Sequence, residues 1–312
     1  MKRVFLTVII LLGFVTGIQA QDTGFLNKEN VTILLNEKYG EYERNVFDII
    51  VPKEKSPHGL VMFIHGGGFR HGDKQDLYTR KEDVQYFIDH NVAVATTNYR
   101  FFNSNDSLGV KLCLNDIQRA IQYIRFNARK YNIDKSEIAC YGISAGAGSS
   151  LYFAFHDDMA IPGDTTLLGE STRIKCAGAI STQSTYNLFR WEQIIPGMQL
   201  VLALKRKTFY NAAANFYGYP SCNSMKNQRK AIAESLDLLD MIDHQDSPVY
   251  LMNLLKAQFP VDNNIIQHHK KHAVVLSEKL NKHGVKNYLF TEQNAGKDME
   301  YPVRQFLVDN LK

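Results

Sequence analysis

Six short apolar runs, separated by segments of helical periodicity, set the architecture of this chain: Leu60 to Ile64, Val92 to Ala95, Ile138 to Tyr141, Cys176 to Ile180, Val249 to Leu255 and Tyr288 to Phe290. A run that is apolar at every position, rather than at every second one, belongs in a sheet covered on both faces. Strands that alternate with helices are joined by crossovers, and crossovers leave them parallel. The pattern predicts an α/β protein with a mostly parallel central sheet and helices on both faces. Between the second and third runs, Val110, Leu114, Ile117, Ile121 and Ile124 recur at spacings of three and four, which predicts an amphipathic helix with one apolar stripe. Upstream, Val31 to Leu35 and Val46 to Val51 read as strands that begin the sheet antiparallel.

From about 183 to 240 the alternation stops. This stretch is helical in pattern and carries Tyr186, Phe189, Trp191, Phe209, Tyr210, Phe216, Tyr217 and Tyr219. A connection of this length between two sheet strands reads as a helical cap inserted over a site. Most of its aromatics read as packing that insertion onto the body. With no repeat, low-complexity tract or linker, residues 21–312 read as a single domain.

The 312 residues are 45% hydrophobic and 22% charged, enough apolar material for a packed core. A formal net charge of +4, with both signs interspersed, argues against a nucleic-acid groove. Met1 to Ala20 reads as a secretory signal: Lys2 and Arg3, an apolar run from Val4 to Val15, and Ala20 at the cut. That run is shorter than a spanning helix needs, so the mature chain is expected to be exported, without membrane insertion. An uncleaved anchor is the alternative. Cys140 and Cys176 sit in apolar runs and read as buried thiols. Cys113 and Cys222 could pair only if the fold brings them together. No Cys or His spacing matches a zinc site.

Two glycine-rich motifs carry the chemistry. Gly142-Ile143-Ser144-Ala145-Gly146 follows one apolar run and precedes a small-residue stretch compatible with a helix. Strand, tight turn and helix form the setting of a nucleophile elbow, which raises Ser144 on a sharp bend at a helix N-terminus. His65-Gly66-Gly67-Gly68-Phe69 ends another run. Its unobstructed backbone N–H groups suit an oxyanion hole, assigned to Gly67 and Gly68 together with Ala145. Each motif alone also occurs in proteins that catalyse nothing; both, in this order and each at a strand end, point to a serine hydrolase.

With these residues the sequence resembles the α/β-hydrolase superfamily, and within it esterases of the hormone-sensitive-lipase and feruloyl/acetyl-xylan-esterase type. The resemblance extends through Arg70-His71-Gly72-Asp73-Lys74, Asn98-Tyr99-Arg100, Asp116, Gln118, Ala120 and Tyr141 to Gly148. It covers roughly Val46 to Ala160 well and the remainder by pattern. It implies the α/β-hydrolase fold, a Ser nucleophile and hydrolysis of carboxylic esters without a cofactor. It also implies that His65 positions the oxyanion loop and is not the general base.

The chain departs from that family where the base should be. The family's acid follows the strand read here as Val249 to Leu255, and its His follows the last strand, in a Gly-His pair. Here that position reads Gly296-Lys297, and no His occurs after His283. The remaining candidates are His268, His269 and His272, in a segment where a subset of secreted relatives has a His-His pair. His268 or His269 is the expected base, Asp262 the favoured acid and Asp246 the alternative. Against this, the same histidines could simply begin an exposed helix beside Lys270 and Lys271. Lys297 could act as a base only if burial lowered its pKa, which Asp298 beside it opposes. His58, His90, His156, His244 and His283 carry no motif and read as structural.

The function expected is a secreted serine carboxylesterase acting on a small-molecule or glycan ester, such as an acetylated or feruloylated carbohydrate. The competing expectation is a weak or inactive hydrolase-fold protein that binds a glycan or partner, motivated by Lys297.

Overall fold

The computed structural model describes residues 23–53, 56–103, 106–256, 262–294 and 296–311. The expected leader, Met1 to Ala20, lies outside the described residues. The eight strands are β1 (Val31–Lys38), β2 (Val46–Pro52), β3 (His58–Ile64), β4 (Ala93–Thr97), β5 (Ile133–Ile143), β6 (Ala177–Ile180), β7 (Val249–Asn253) and β8 (Asn287–Thr291). They form one sheet in the order β1-β2-β4-β3-β5-β6-β7-β8. β2 runs antiparallel to both β1 and β4, and from β4 to β8 every pair is parallel. Each apolar run of the sequence is a strand here, and the antiparallel start is observed. β5 begins ahead of its apolar run because pairing continues past the half-buried Asp134 and the exposed Lys135 and Ser136, whose side chains give no apolar signal.

Alternate residues of β3 serve two cores, as the period of a strand requires. Leu60, Met62 and Ile64 pack in a cluster with Val110, Leu114, Ile117, Ile121 and Ile124 of α2 (Val110–Phe126). Val61 and Phe63 pack with Val84 and Phe87 of α1 (Lys81–Asp89), and with Phe306 and Leu307 of a C-terminal helix, on the other face. α3 (Ala145–Phe155) follows β5 directly.

Between β6 and β7 lie α4 (Trp191–Ile194), α5 (Met198–Phe216), α6 (Cys222–Met225), α7 (Arg229–Leu236) and α8 (Leu238–Met241). Beyond β7 come α9 (Asn263–His268) and α10 (Lys270–Lys282), and beyond β8 come α11 (Lys297–Glu300) and α12 (Val303–Asp309). Tyr186, Phe216 and Tyr217 join the core that holds Phe69, so part of the aromatic stretch is packing, while Trp191, Ile195, Met198 and Ile266 form a small cluster of their own. All four cysteines are free thiols, Cys113 being buried and Cys222 half-buried. No described helix is long and apolar enough to cross a membrane.

Candidate active site

Pairing in the sheet brings the two glycine motifs together. β3 and β5 are parallel neighbours, with Ile64 opposite Gly142, so the chain leaving β3 at His65 and the chain leaving β5 at Ser144 emerge side by side. Their glycines allow the approach. A Cβ on Gly146 would sit 1.9 Å from the Ile64 carbonyl oxygen, and one on Gly142 would sit 2.4 Å from the same atom. Ser144 itself adopts φ 55° and ψ −115°, a conformation uncommon for a residue with a side chain. It stands at the N-cap of α3, where the helix dipole favours negative charge.

The turn from His65 to Phe69 is built just as tightly. Gly67 has φ 101° and Gly68 φ 59°. His65 is fully buried beneath the turn, stacked on Tyr99 with ring centroids 4.3 Å apart. Its Nδ1–H donates to the Gly66 carbonyl at 2.8 Å, and Nε2 faces Arg44 at 3.4 Å. Burial pushes its pKa down to about 4, so the ring is neutral. Its ring contacts the turn at the Gly66 carbonyl.

The imidazole facing Ser144 is that of His268. Ser144 Oγ lies 2.9 Å from His268 Nε2, and His268 Nδ1 lies 2.8 Å from Asn264 Oδ1. Because an amide oxygen only accepts, Nδ1 carries the proton and Nε2 is free to accept one from the serine hydroxyl. Burial lowers the His268 pKa below its ordinary 6.5, an effect the backbone carbonyl of Asn264 opposes.

Two buried side chains fix α9 where it is. Asn253, at the end of β7, accepts from Thr182 N–H at 2.8 Å and turns its amide toward the carbonyls of Thr182, His268 and His269. His272 donates from Nε2 to the Ile266 carbonyl at 3.0 Å and accepts the Ser184 N–H at Nδ1, 3.1 Å away. Its complete burial drives its pKa to about 3, so it is a neutral structural ring, and Trp191 packs edge-on against it at 5.0 Å.

The other sequence candidates lie elsewhere. Asp262 does not reach the imidazole: it is the N-cap of α9, its carboxylate accepting the Ile265 N–H at 2.8 Å. Asn264 stands where the acid was expected. His269 is turned away, its Nδ1 accepting the Lys271 N–H at 3.0 Å to cap α10. Asp246 precedes β7 and so lies at the opposite end of the sheet from Ser144; burial pushes its carboxyl up to about 7. Lys297 is an exposed residue at the start of α11. Asp116, one of the residues of the resemblance, is buried and holds Arg100 in a bidentate pair, with its closest contact at 2.7 Å.

Gly67, Gly68, Ser144, Ala145 and His268 line one cavity of about 800 Å³. Its walls are largely apolar, with Phe69, Phe102, Trp191 and Ile266 among them, and one side is the face of α5 that carries Met198, Val201, Lys205, Phe209, Ala212 and Phe216. Among the described residues no group of three His, Cys, Asp or Glu side chains is placed to hold a metal ion.

Comparisons with known proteins bear on the family and the fold. A family model described as BD-FAE matches residues 47–256. Over 98 residues the chain is 33% identical to the juvenile hormone esterase of Heliothis virescens, a stretch that covers 29% of this chain and 17% of that protein. A truncated form of a carbohydrate esterase from gut microbiota superposes with a TM-score of 0.65 at 16% identity, covering 91% of this chain and 98% of that one. An acetyl ester-xyloside bifunctional hydrolase from Caldicellulosiruptor lactoaceticus gives 0.57 at 14% identity, covering 89% and 94%. Esterase 2 of Thermogutta terrifontis, phosphoramylated by tabun, gives 0.55 at 15%, covering 91% and 94%. Such identities speak for a shared fold, the α/β-hydrolase fold. With more than half of its length matched by the family model, the chain belongs to the BD-FAE family.

Proposed function

We propose that the protein is an exported carboxylesterase that cleaves carbohydrate esters through Ser144, with His268 as general base and Asn264 as the residue that orients it. The observation that carries this reading is the 2.9 Å approach of Ser144 Oγ to His268 Nε2, within the range a base needs to take the hydroxyl proton. As Ser144 attacks the ester carbonyl, its proton passes to Nε2 and the carbonyl oxygen becomes an oxyanion, held by the Gly67, Gly68 and Ala145 N–H groups. The imidazolium then returns that proton to the leaving alcohol, giving an acyl-serine. Water, deprotonated by the same ring, releases the acid and restores Ser144. The segment between β6 and β7 acts as a cap that supplies the apolar wall of the cleft. Its aromatic faces suit sugar rings or aryl acyl groups, and the carbohydrate esterases among the structural relatives support that class. Export rests on the leader pattern of Met1 to Ala20.

A neutral amide differs from the usual carboxylate in one respect: it fixes the tautomer without stabilising the imidazolium. The base is active when neutral, so kcat/KM for p-nitrophenyl acetate is expected to rise with pH to a plateau, half-maximal below 6.5. In Asn264→Asp a carboxylate favours the charged ring, and the half-point is expected to move up by roughly one unit. Ser144→Ala abolishes the hydrolysis. Undiminished turnover in Ser144→Ala, or a half-point well above 7 in the parent, contradicts the reading.

A further inference from the structure

Among the described residues, the lining of the cavity that holds Ser144 includes Arg70, His71 and Lys205 and no Asp or Glu. The neighbouring segment continues that bias. Between Glu192 and Glu234 the chain has no acidic residue but carries Lys205, Arg206, Lys207, Lys226, Arg229 and Lys230. Of these six cations Lys205 is the one that lines the cavity; Lys230 pairs with Glu234, and Arg229 belongs to a separate cleft with Asp237 and Asp240.

Arg70 is the best placed of these groups. It sits two residues beyond Gly68, on the loop that forms the oxyanion turn. Its described partners are neutral: the Asn215 side-chain oxygen accepts one of its N–H groups, and its guanidinium lies over the Phe102 ring, 4.6 Å from the centroid. Both partners also line the cavity. A guanidinium has five N–H donors, so this anchoring leaves donors for a ligand. Asp73, the nearest acid along the loop, is engaged by Asn98 at 2.8 Å and Arg44 at 3.8 Å. Lys205 lines the same cavity from α5, at a break where the backbone leaves helical geometry (φ −127°, ψ 27°).

We infer that the ester this site cleaves belongs to a molecule that carries a carboxylate, received by Arg70, with Lys205 adding positive charge to the same cavity. The inference rests on the esterase reading and refines its substrate class. The carboxylate has two chemical sources: a uronic acid on the alcohol side, or a dicarboxylic acyl group esterified at one end. Planar, bidentate recognition of carboxylates is what arginine does best.

The test compares matched pairs at low salt. One pair is an O-acetylated methyl galacturonoside against the O-acetylated methyl galactoside; the other is p-nitrophenyl hemisuccinate against p-nitrophenyl butyrate. In one of the pairs the anionic member is expected to have a kcat/KM roughly tenfold higher, mainly through a lower KM, a preference of the size one charge-assisted contact confers at an exposed rim. That preference shrinks in 0.5 M salt, on the order of the screening expected there. It falls to near unity in the double variant Arg70→Gln, Lys205→Gln. Equal or poorer turnover of both anionic members, with the neutral esters well cleaved, overturns the inference and leaves the esterase reading intact. A preference that persists in the double variant also overturns it. No turnover of any of the four esters removes the esterase reading and this inference with it.

Discussion

His268→Ala lowers kcat for ester hydrolysis by roughly 10⁴-fold or more, while His269→Ala stays within about tenfold of the parent. The two rings are adjacent in sequence and opposite in role. His268 Nε2 lies 2.9 Å from the Ser144 hydroxyl, whereas His269 Nδ1 accepts the Lys271 N–H and caps α10. Without an imidazole to accept its proton, a serine hydroxyl is a poor nucleophile near neutral pH, and only the oxyanion donors and binding remain to accelerate the reaction. The small loss in His269→Ala comes from fraying at the start of α10, so its measure is stability as well as rate. Equal losses in the two variants, measured by steady-state turnover of p-nitrophenyl acetate, would reassign the base.

Gly146→Ala, a single added methyl group, is expected to lower kcat by about 100-fold and to destabilise the fold by roughly 1–3 kcal/mol. The new Cβ would lie 1.9 Å from the Ile64 carbonyl oxygen and 2.8 Å from that of His65. Both obstacles are backbone, at the end of a central strand, and cannot rotate aside. The N-terminus of α3 must retreat, taking Ser144 away from the oxyanion turn, and a displacement of about 1 Å at reacting atoms costs on the order of 100-fold. Gly68→Ala is a useful contrast, since a Cβ there meets nothing within 4 Å and the cost is confined to the positive φ of 59°. Thermal unfolding and turnover, measured on both variants, separate loss of space from loss of backbone freedom. A Gly146→Ala protein as active and as stable as the parent would show that the two motifs are not packed this closely.

The sheet was legible because its inner strands hold runs that are apolar throughout, a signature that needs no tertiary information. The two glycine motifs were legible for a related reason: each follows a strand, and parallel strands deliver their loops to the same edge of the sheet. The third part of the site was harder. His268 comes from α9, whose place depends on the amide of Asn253 and the buried ring of His272, contacts between segments far apart in sequence. That dependence left His268 and His269 as equal candidates. Asp262 is a carboxylate in the segment where the family's acid is expected, but an Asp just before a helix is also the signature of an N-cap, the place it occupies. Asn264 did leave a signal, since it lies four residues before His268, the spacing that puts two side chains on one face of a helix. The stretch from 193 to 233 is visibly free of acids; that Lys205 of α5 lines the cavity with Ser144 depends on the fold.

Mass spectrometry of the protein after treatment with an alkyl fluorophosphonate tests the central claim most directly. A phosphonate accepts only an activated hydroxyl, so the expected result is one adduct per chain on the peptide bearing Ser144, formed rapidly in the parent and in His269→Ala, and slower by orders of magnitude in His268→Ala. An untouched Ser144 in the folded parent, or labelling at the same rate with and without the His268 ring, would contradict the account.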